Sequence, residues 1–373
     1  MRLAWNNILF DRTRFAVTVL GIAAAVFLIV FQSSILNGFL GASSRIIESA
    51  DADLWVAARG VECFEFPAPI EKRYVEIAQG VPGVAGATPV CTRSAQFRKR
   101  DGSSQVVALV GADAEAGARF PTPHQAAGGT VTPNALLVDA SNVGSLNIAG
   151  QLPLDVEVNQ RRAQVIGAIS GFSSFLGSPY VFASYRDGAD FLGLRPEETT
   201  FILVRLNASV DPGPVRDLLR SRLPNVDIWT RDEFAQKARI YWISQTGAGG
   251  AIAMAALLGF LVGLAIVSQA IYATTMEHLE EFATLKAIGA GNWFVLKVVL
   301  CQALACGVVG YLLGVGVATP LVKIAAENAI PWVNSPWWIR AGAAVPTLLM
   351  CFLASIVSIR AALKVEPAKV FRA

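Results

Sequence analysis

The sequence is poor in charge and has almost no histidine. Of its 373 residues only 16% are Asp, Glu, Lys or Arg, where a soluble globular domain carries about 25%. The two histidines, His124 and His278, leave no His-type zinc site, and a Ser-His-Asp triad in the region around His124 would have to rest on that residue alone. No G-x-x-x-x-G-K-[ST] cradle for phosphates occurs, since the nearest glycine run, Gly247–Gly250, has no lysine. No G-x-S-x-G nucleophile elbow is present either. These absences argue against an enzyme. A net charge of +3 is no electrostatic footprint for a nucleic acid. What the chain has in excess is apolar material, 54% of its residues at a mean hydropathy of +0.49, which excludes a disordered chain.

The few charges are unevenly spread. Residues 38–246 hold 20 of the 31 Lys/Arg and 22 of the 28 Asp/Glu, so this stretch reads as a water-exposed domain and the rest as membrane. A bilayer core takes about 20 apolar residues in a helix. Four segments qualify: Phe15–Leu36, about Ala248–Tyr272, the 25 uncharged residues between Lys297 and Lys323, and the 19 between Arg340 and Arg360. The first is longer than the apolar core of a cleaved signal peptide, about 7–15 residues, and reads as an anchor. Arg2, Arg12 and Arg14 precede it, and Arg360, Lys364, Lys369 and Arg372 follow the fourth. By the positive-inside rule both termini are expected in the cytoplasm and the 38–246 domain outside. Trp242, Trp332, Trp337 and Trp338 then fall at the outer interface as an anchoring belt. The spans contain no Asp, Glu, Lys, Arg or His, which argues against an ion-coupled transporter. They do contain Gly259-xxx-Gly263 and Gly310-xxx-Gly314, spacings that let helix backbones approach closely and hint at tight packing at a dimer seam.

Between the first two spans, short apolar runs alternate with turn signals. Lys72–Val90 and Pro214–Thr230 each read as helix, Pro-containing turn and strand. Together they suggest one α+β module completed by both ends of the insertion. The segments Gln105–Val110, Ala135–Asp139, Asp155–Val158 and Gln164–Ile169 read as strands of a second, β-rich lobe, and Gly111–Gly129 as a loop. Cys63 and Cys91 both lie in this domain and are a candidate disulfide, which spacing alone does not decide. The expected fold is an α-helical membrane protein with four transmembrane helices and a large two-lobed α+β periplasmic domain inserted between helices 1 and 2. The expected boundaries are 1–37 (lead-in and helix 1), 38–246 (external domain), 247–273 (helix 2), 274–296 (cytoplasmic loop), 297–322 (helix 3), 323–340 (short external loop), 341–360 (helix 4) and 361–373 (tail).

In the cytoplasmic loop, Leu279, Phe282, Leu285 and Ile288 recur every three residues, Glu277, Glu280, Glu281 and Thr284 take the other side, and Gly289 ends the helix as a C-cap. A surface-lying membrane helix is usually cationic, and this one carries glutamates, so the pattern favours a protein partner.

Glu281–Ala290 (EFATLKAIGA) is similar to the signature in the cytoplasmic loop of FtsX-like ABC transporter permeases of the MacB type. Leu3–Arg14 resembles that family's amphipathic lead-in, Arg360–Arg372 its basic, proline-containing tail, and the span order its architecture. Ala52–Val56 and Pro179–Arg186 further resemble the branch of the cyanobacterial heterocyst glycolipid exporter. Glu280 departs from the family, standing where a basic residue is common. The resemblance implies a homodimeric permease in the bacterial inner membrane, bound to a separate ABC ATPase that holds the ATP and Mg, with no cofactor in this chain. It implies that Glu281, Phe282, Leu285, Lys286, Ile288 and Gly289 meet the ATPase. It also implies a membrane-fusion protein and an outer-membrane channel as partners, and a lipid or glycolipid as substrate. The same loop signature occurs in relatives that regulate a periplasmic hydrolase or release lipoproteins.

Overall fold

The structure is a computed structural model and describes residues 12–113, 123, 132–148, 152–277, 284, 288 and 292–363. In chain order α1 (Arg12–Ser49) is followed by β1 (Leu54–Ala58), β2 (Ile70–Glu71) and α2 (Tyr74–Gln79). Next come β3 (Val84–Arg98), β4 (Ser104–Ala112), β5 (Ala135–Asp139), β6 (Leu154–Val158), β7 (Arg161–Ile169), β8 (Tyr180–Ala183) and α3 (Tyr185–Leu192). The inserted domain ends with β9 (Glu198–Thr199), β10 (Phe201–Leu206), α4 (Pro212–Arg222), β11 (Val226–Thr230) and α5 (Arg231–Ser244). Then follow α6 (Ala248–Glu277), α7 (Asn292–Asn328), α8 (Trp337–Gly342) and α9 (Ala344–Leu363). The chain divides into two compact units, residues 39–248 and the remainder.

Among the described residues four helices are long and apolar enough to cross a bilayer, within α1, α6, α7 and α8–α9. Two are longer than the uncharged runs suggest. The first continues past Leu36 as unbroken helix to Ser49, and the third begins at Asn292 and ends at Asn328. Serines do not break α1, because their hydroxyls return to its own carbonyls: Ser34 to Val30 at 2.7 Å and Ser43 to Leu40 at 2.9 Å. The fourth span is preceded by a separate turn of helix, α8, and the Tyr311 hydroxyl of α7 donates to the carbonyl of Arg340 in it at 2.9 Å. The bundle core gathers Ile22, Val26, Val30, Val267, Val299, Met350 and Cys351, all fully buried.

The inserted domain is built on one nine-stranded sheet of order β11-β1-β10-β3-β4-β8-β5-β7-β6. Its first four strands are mutually antiparallel, and with α2 and α4 they make a β-α-β unit from each end of the insertion, the ferredoxin-like split arrangement. Alternation along each strand explains why both faces are covered. Leu54, Val56, Ile202, Val204 and Ile228 face the α2–α4 layer with Ala78, Val215 and Leu219. The intervening Trp55 and Phe201 face the other way and meet Phe64 and Phe234, with ring centroids 5.3–6.0 Å apart. Helix starts follow the sequence closely. Asp211 caps α4 ahead of Pro212, Ser184 caps α3, and Thr230 with Glu233 forms a capping box on α5.

The second lobe is not a separate sheet. The 15-residue β3 runs through both halves, with Ala87 in the first core and Cys91, Ala95 and Phe97 in the second. Its far end pairs Phe97 and Arg98 with Val158 and Glu157 of β6, so β3, β4, β8, β5, β7 and β6 close into a ring around a second core of Phe97, Leu109, Leu136, Val138 and Val181. The segment read as a loop from Gly111 starts instead as the end of β4, and most of the remainder lies outside the described residues. Helix α3 lies almost in van der Waals contact with the sheet. A β-carbon on Gly188 would come 2.7 Å from the Cα of Gly111 and 3.2 Å from the Cys91 sulfur.

Candidate functional site

Three groups of residues bear on function: the cytoplasmic loop, the glycines of the spans, and the ends of α1 and α5 in the inserted domain. In the loop between α6 and α7, Glu281, Phe282, Leu285, Lys286 and Gly289 lie outside the described residues, as does His278. Thr284 and Ile288 are described. The Ile288 amide donates to the Thr284 carbonyl at 3.1 Å, one turn of helix-like backbone, and the Ile288 side chain is 79% exposed.

Each glycine of the two small-residue motifs is met by this chain's own first helix. A β-carbon on Gly259 would touch Leu28 at 3.1 Å, and one on Gly263 would press on Ala25 and on Met350 of α9. One on Gly310 would reach Ile22 at 2.6 Å, and one on Gly314 would reach the Ala23 carbonyl and Val26, both at 2.7 Å. α1 thus takes up the room these glycines leave, and a seam with a second copy would have to form elsewhere. Gly316, on the same helix, has nothing within 4 Å of its β-carbon position.

The third group was not found by sequence reasoning. The last three turns of α1 are joined to α5 at Arg239 and Trp242. Arg239 donates from Nε to the Ser44 hydroxyl at 3.0 Å and forms an ion pair with Glu48. Next to this, Trp242 of α5 is the centre of an aromatic cluster with Phe39 of α1 (6.4 Å), Phe66 (5.8 Å), Tyr241 (5.5 Å) and Phe175 of the β7–β8 loop (4.8 Å). Trp242 is only 5% exposed, so its expected place in an interfacial belt is corrected: its partners are protein rings. Trp337 and Trp338 remain exposed. The β7–β8 loop is itself fixed, because the buried Asp139 carboxylate accepts from the Phe172 amide at 2.7 Å and from Ser141 at 3.0 Å, and Arg45 of α1 donates to the Gly171 carbonyl at 3.3 Å. The two helices leave this clamp differently. α1 runs on unbroken into the first span, whereas α5 is followed by Gln245-Thr246-Gly247, with Gly247 in the left-handed region at φ 71°.

Between β1 and β2 the segment 61–66 carries Cys63 and Glu65. Both Cys63 and Cys91 are free, buried thiols, each pushed up to about 12 mainly by burial, and they occupy different places. Cys63 contacts Glu65, and Cys91 lies 3.7 Å from the Gly111 carbonyl and 3.8 Å from that of Tyr185. Such thiols are inert packing groups, since reactivity needs thiolate. Among the described residues no cluster of His, Cys, Asp or Glu could hold a metal.

Among the described residues four helices are long and apolar enough to cross a membrane, and the α/β domain follows the first of them; the comparisons supply the class. The model of the MacB-like periplasmic core domain matches residues 15–222 and that of the FtsX-like permease C-terminal region matches residues 253–367. The chain belongs to the family with the MacB-like periplasmic core domain, and it is an ABC transporter permease of the MacB/FtsX type. It is 22% identical over 380 residues to an uncharacterized ABC transporter permease of Mycobacterium bovis, covering 99% of this chain and 98% of the other. A second such permease, of Mycobacterium tuberculosis, is 22% identical over 389 residues with the same coverage. Among solved structures, the periplasmic region of MacB from Actinobacillus actinomycetemcomitans aligns at 14% identity and a TM-score of 0.38, covering 51% of this chain and 94% of that one. The extracellular domain of the noncanonic ABC-type transporter YknZ aligns at 14% identity and a TM-score of 0.34, covering 48% and 98%.

Proposed function

We propose that this permease is the mechanical half of an ATP-driven exporter: a homodimer bound to two copies of a separate ABC ATPase, with both termini in the cytoplasm and the inserted domain in the periplasm. In this reading Phe282, Leu285 and Ile288 seat in a groove of the ATPase, with Glu281 and Lys286 on the flank and Gly289 ending the helix. ATP and Mg stay on the ATPase. The observation that carries the reading is the clamp of α1 and α5. α1 runs unbroken from the first span to Ser49 and is tied near that end to α5, which the link 245–247 joins to the second span, so in this reading motion of one span end passes to the other by way of α1 and α5. The absence of Asp, Glu, Lys, Arg and His from the four uncharged runs of the sequence supports transmission of movement over passage of a hydrophilic solute. Exposure of Ile288 supports a partner at the loop.

A membrane-fusion protein and an outer-membrane channel complete the export system in this proposal, and the substrate class is a lipid or glycolipid, on the resemblance of Ala52–Val56 and Pro179–Arg186 alone. The experiment is to reconstitute the permease with its ATPase and compare the native chain with Phe282→Asp and Leu285→Asp. A buried charge at a docking ridge costs several kcal/mol, so both variants lose stimulation of ATP turnover, and unchanged binding and stimulation refute the docking. Co-purification of a cell-wall hydrolase or a lipoprotein acceptor in place of a membrane-fusion protein rejects export by this route.

A further inference from the structure

The second lobe closes its ring of strands over a short distance. The β6–β7 hairpin turns at Asn159–Gln160, so Val158 and Arg161, Val156 and Ala163, and Leu154 and Val165 exchange backbone bonds, while Glu157 and Asp155 turn theirs away from β7. On that side the Asn159 amide donates to the Gln96 carbonyl at 2.9 Å, and Glu157 meets Arg98, the last residue of β3. There the closure stops. The chain doubles back through Lys99–Ser103, with the Lys99 amide on the Ser103 carbonyl at 2.8 Å, and β6 continues without it. The backbone of Asp155 faces the gap, and no described residue pairs with it there.

The gap is a cleft of about 870 Å³. The β3–β4 turn, with Lys99, Arg100 and Gly102, lines it together with Asp155, Glu157 and Arg162 of the β6–β7 hairpin. A second hollow of about 610 Å³ shares Arg98, Gly102, Glu157 and Gln160 with it, so the recess continues past the Arg98–Glu157 pair as a trough. Arg98, Lys99, Arg100 and Arg162 line the cleft against only two carboxylates, in a domain whose acids outnumber its bases by two. Both carboxylates are engaged. Glu157 pairs with Arg98 at 3.3 Å and has Arg162 as its register partner on β7, and Asp155 accepts from Gln164 at 2.9 Å. Lys99 and Arg162 form no ion pair among the described residues.

The chemistry of the trough selects what it can hold. Neither hollow is lined by an aromatic ring, so a nucleic-acid base has no platform to stack on. An open strand edge takes up a peptide backbone, and cations beside that edge favour carboxylates on the incoming chain.

We propose that this trough is a docking site for an extended acidic segment of a partner protein, whose carboxylates go to Lys99 and Arg162 and whose backbone pairs with Asp155 on the edge of β6. The site belongs to the second lobe and goes beyond the export reading; it stands or falls independently of the ATPase contact. Its cations are at least partly open to solvent, so the binding is reversible and weakens with salt.

The test uses the full chain in detergent and a fluorescein-labelled decapeptide of alternating Glu and Thr, read by anisotropy at about 50 mM salt. The acidic peptide binds saturably, and its Lys-Thr counterpart does not. Lys99→Glu combined with Arg162→Gln weakens binding about tenfold or more, whereas Arg222→Glu, an exposed cation on α4, changes it by less than about twofold. The same peptide N-methylated at every residue keeps its carboxylates, has no amide to give Asp155, and binds several-fold more weakly. Melting temperatures of the variants stay with that of the native chain. Should the double variant fail to fold, Lys99→Gln alone, in the turn, is read in its place and weakens binding about threefold. No binding of the acidic peptide, an equal loss with Arg222→Glu, unchanged affinity in the Lys99 variants, or equal affinity of the N-methylated peptide overturns the proposal. A heparin hexasaccharide that binds more tightly than the peptide and is lost in the same variants assigns the trough to an anionic glycan and rejects a protein segment.

Discussion

Arg239, which reaches Ser44 and Glu48, and Trp242, which meets Phe39, join α5 to α1, and the magnitudes of the ion pair and of the tryptophan's burial differ enough to say which one governs. Trp242 is 5% exposed and contacts four other rings. A tryptophan buries about 150–250 Å², which at about 25 cal/mol per Å² gives an upper bound of about 4–6 kcal/mol, and large-to-small substitutions of this kind cost about 3–5 kcal/mol. Arg239 and Glu48 are 39% and 42% exposed at their side chains. A pair so open to solvent is worth at most about 1 kcal/mol and is screened by salt. For a domain of this size each kcal/mol moves the melting temperature by about 2–4 °C. Trp242→Ala is therefore expected to lower the melting of the detergent-solubilised chain by about 6–20 °C, with Arg239→Met lowering it by no more than about 4 °C and ceasing to differ from the native chain in about 0.5 M salt. Scanning fluorimetry at low and high salt measures both. If Arg239→Met is the more damaging change, or if its effect survives salt, the clamp is ionic and burial of Trp242 does not govern it.

Two further substitutions test the packing. Gly188→Ala in α3 gains about 1 kcal/mol of helix propensity but presses on backbone atoms of Gly111 that cannot turn aside. An overpacking cost of about 1–3 kcal/mol leaves it less stable on balance, whereas Gly144→Ala, with open space around it, is close to neutral in the same melt. In the membrane unit, Gly314→Leu displaces α1 at Ala23 and Val26 and lowers the yield and melting temperature of the folded protein, and Gly316→Leu, with nothing near it, changes neither. Equal behaviour of the two leucine variants contradicts the placement of α1 against this face.

The spans were legible because a bilayer demands long uncharged runs, and those runs are counted directly in the sequence. The strands β4 to β7 were legible as short apolar runs set between turn signals, and the repeated helix, Pro turn and strand marked the two halves of the split unit. What escaped has a common cause: it depends on residues far apart in the chain. Only the part of β3 up to Val90 was read as a strand, and nothing in its residues says that it runs on to Arg98, belongs to two cores and closes a ring with β6. Glu65 meets Tyr180 and Trp242 across 115 and 177 positions. Trp242 lies six residues before a span, where an anchoring tryptophan and a buried one have the same sequence context. The small-residue motifs signalled close packing, and only the structure names α1 as what fills them.

The return of β6 to β3 at Phe97 and Arg98 shortens the free rim of that half of the inserted domain. In a crowded compartment such a lobe offers less backbone for a stray peptide to zip onto, and it resists the edge-to-edge sticking that ends in aggregates. A partner that recognises it then does so mostly through side chains and shape, which tolerate sequence change well and so allow one scaffold to be re-dressed for different companions.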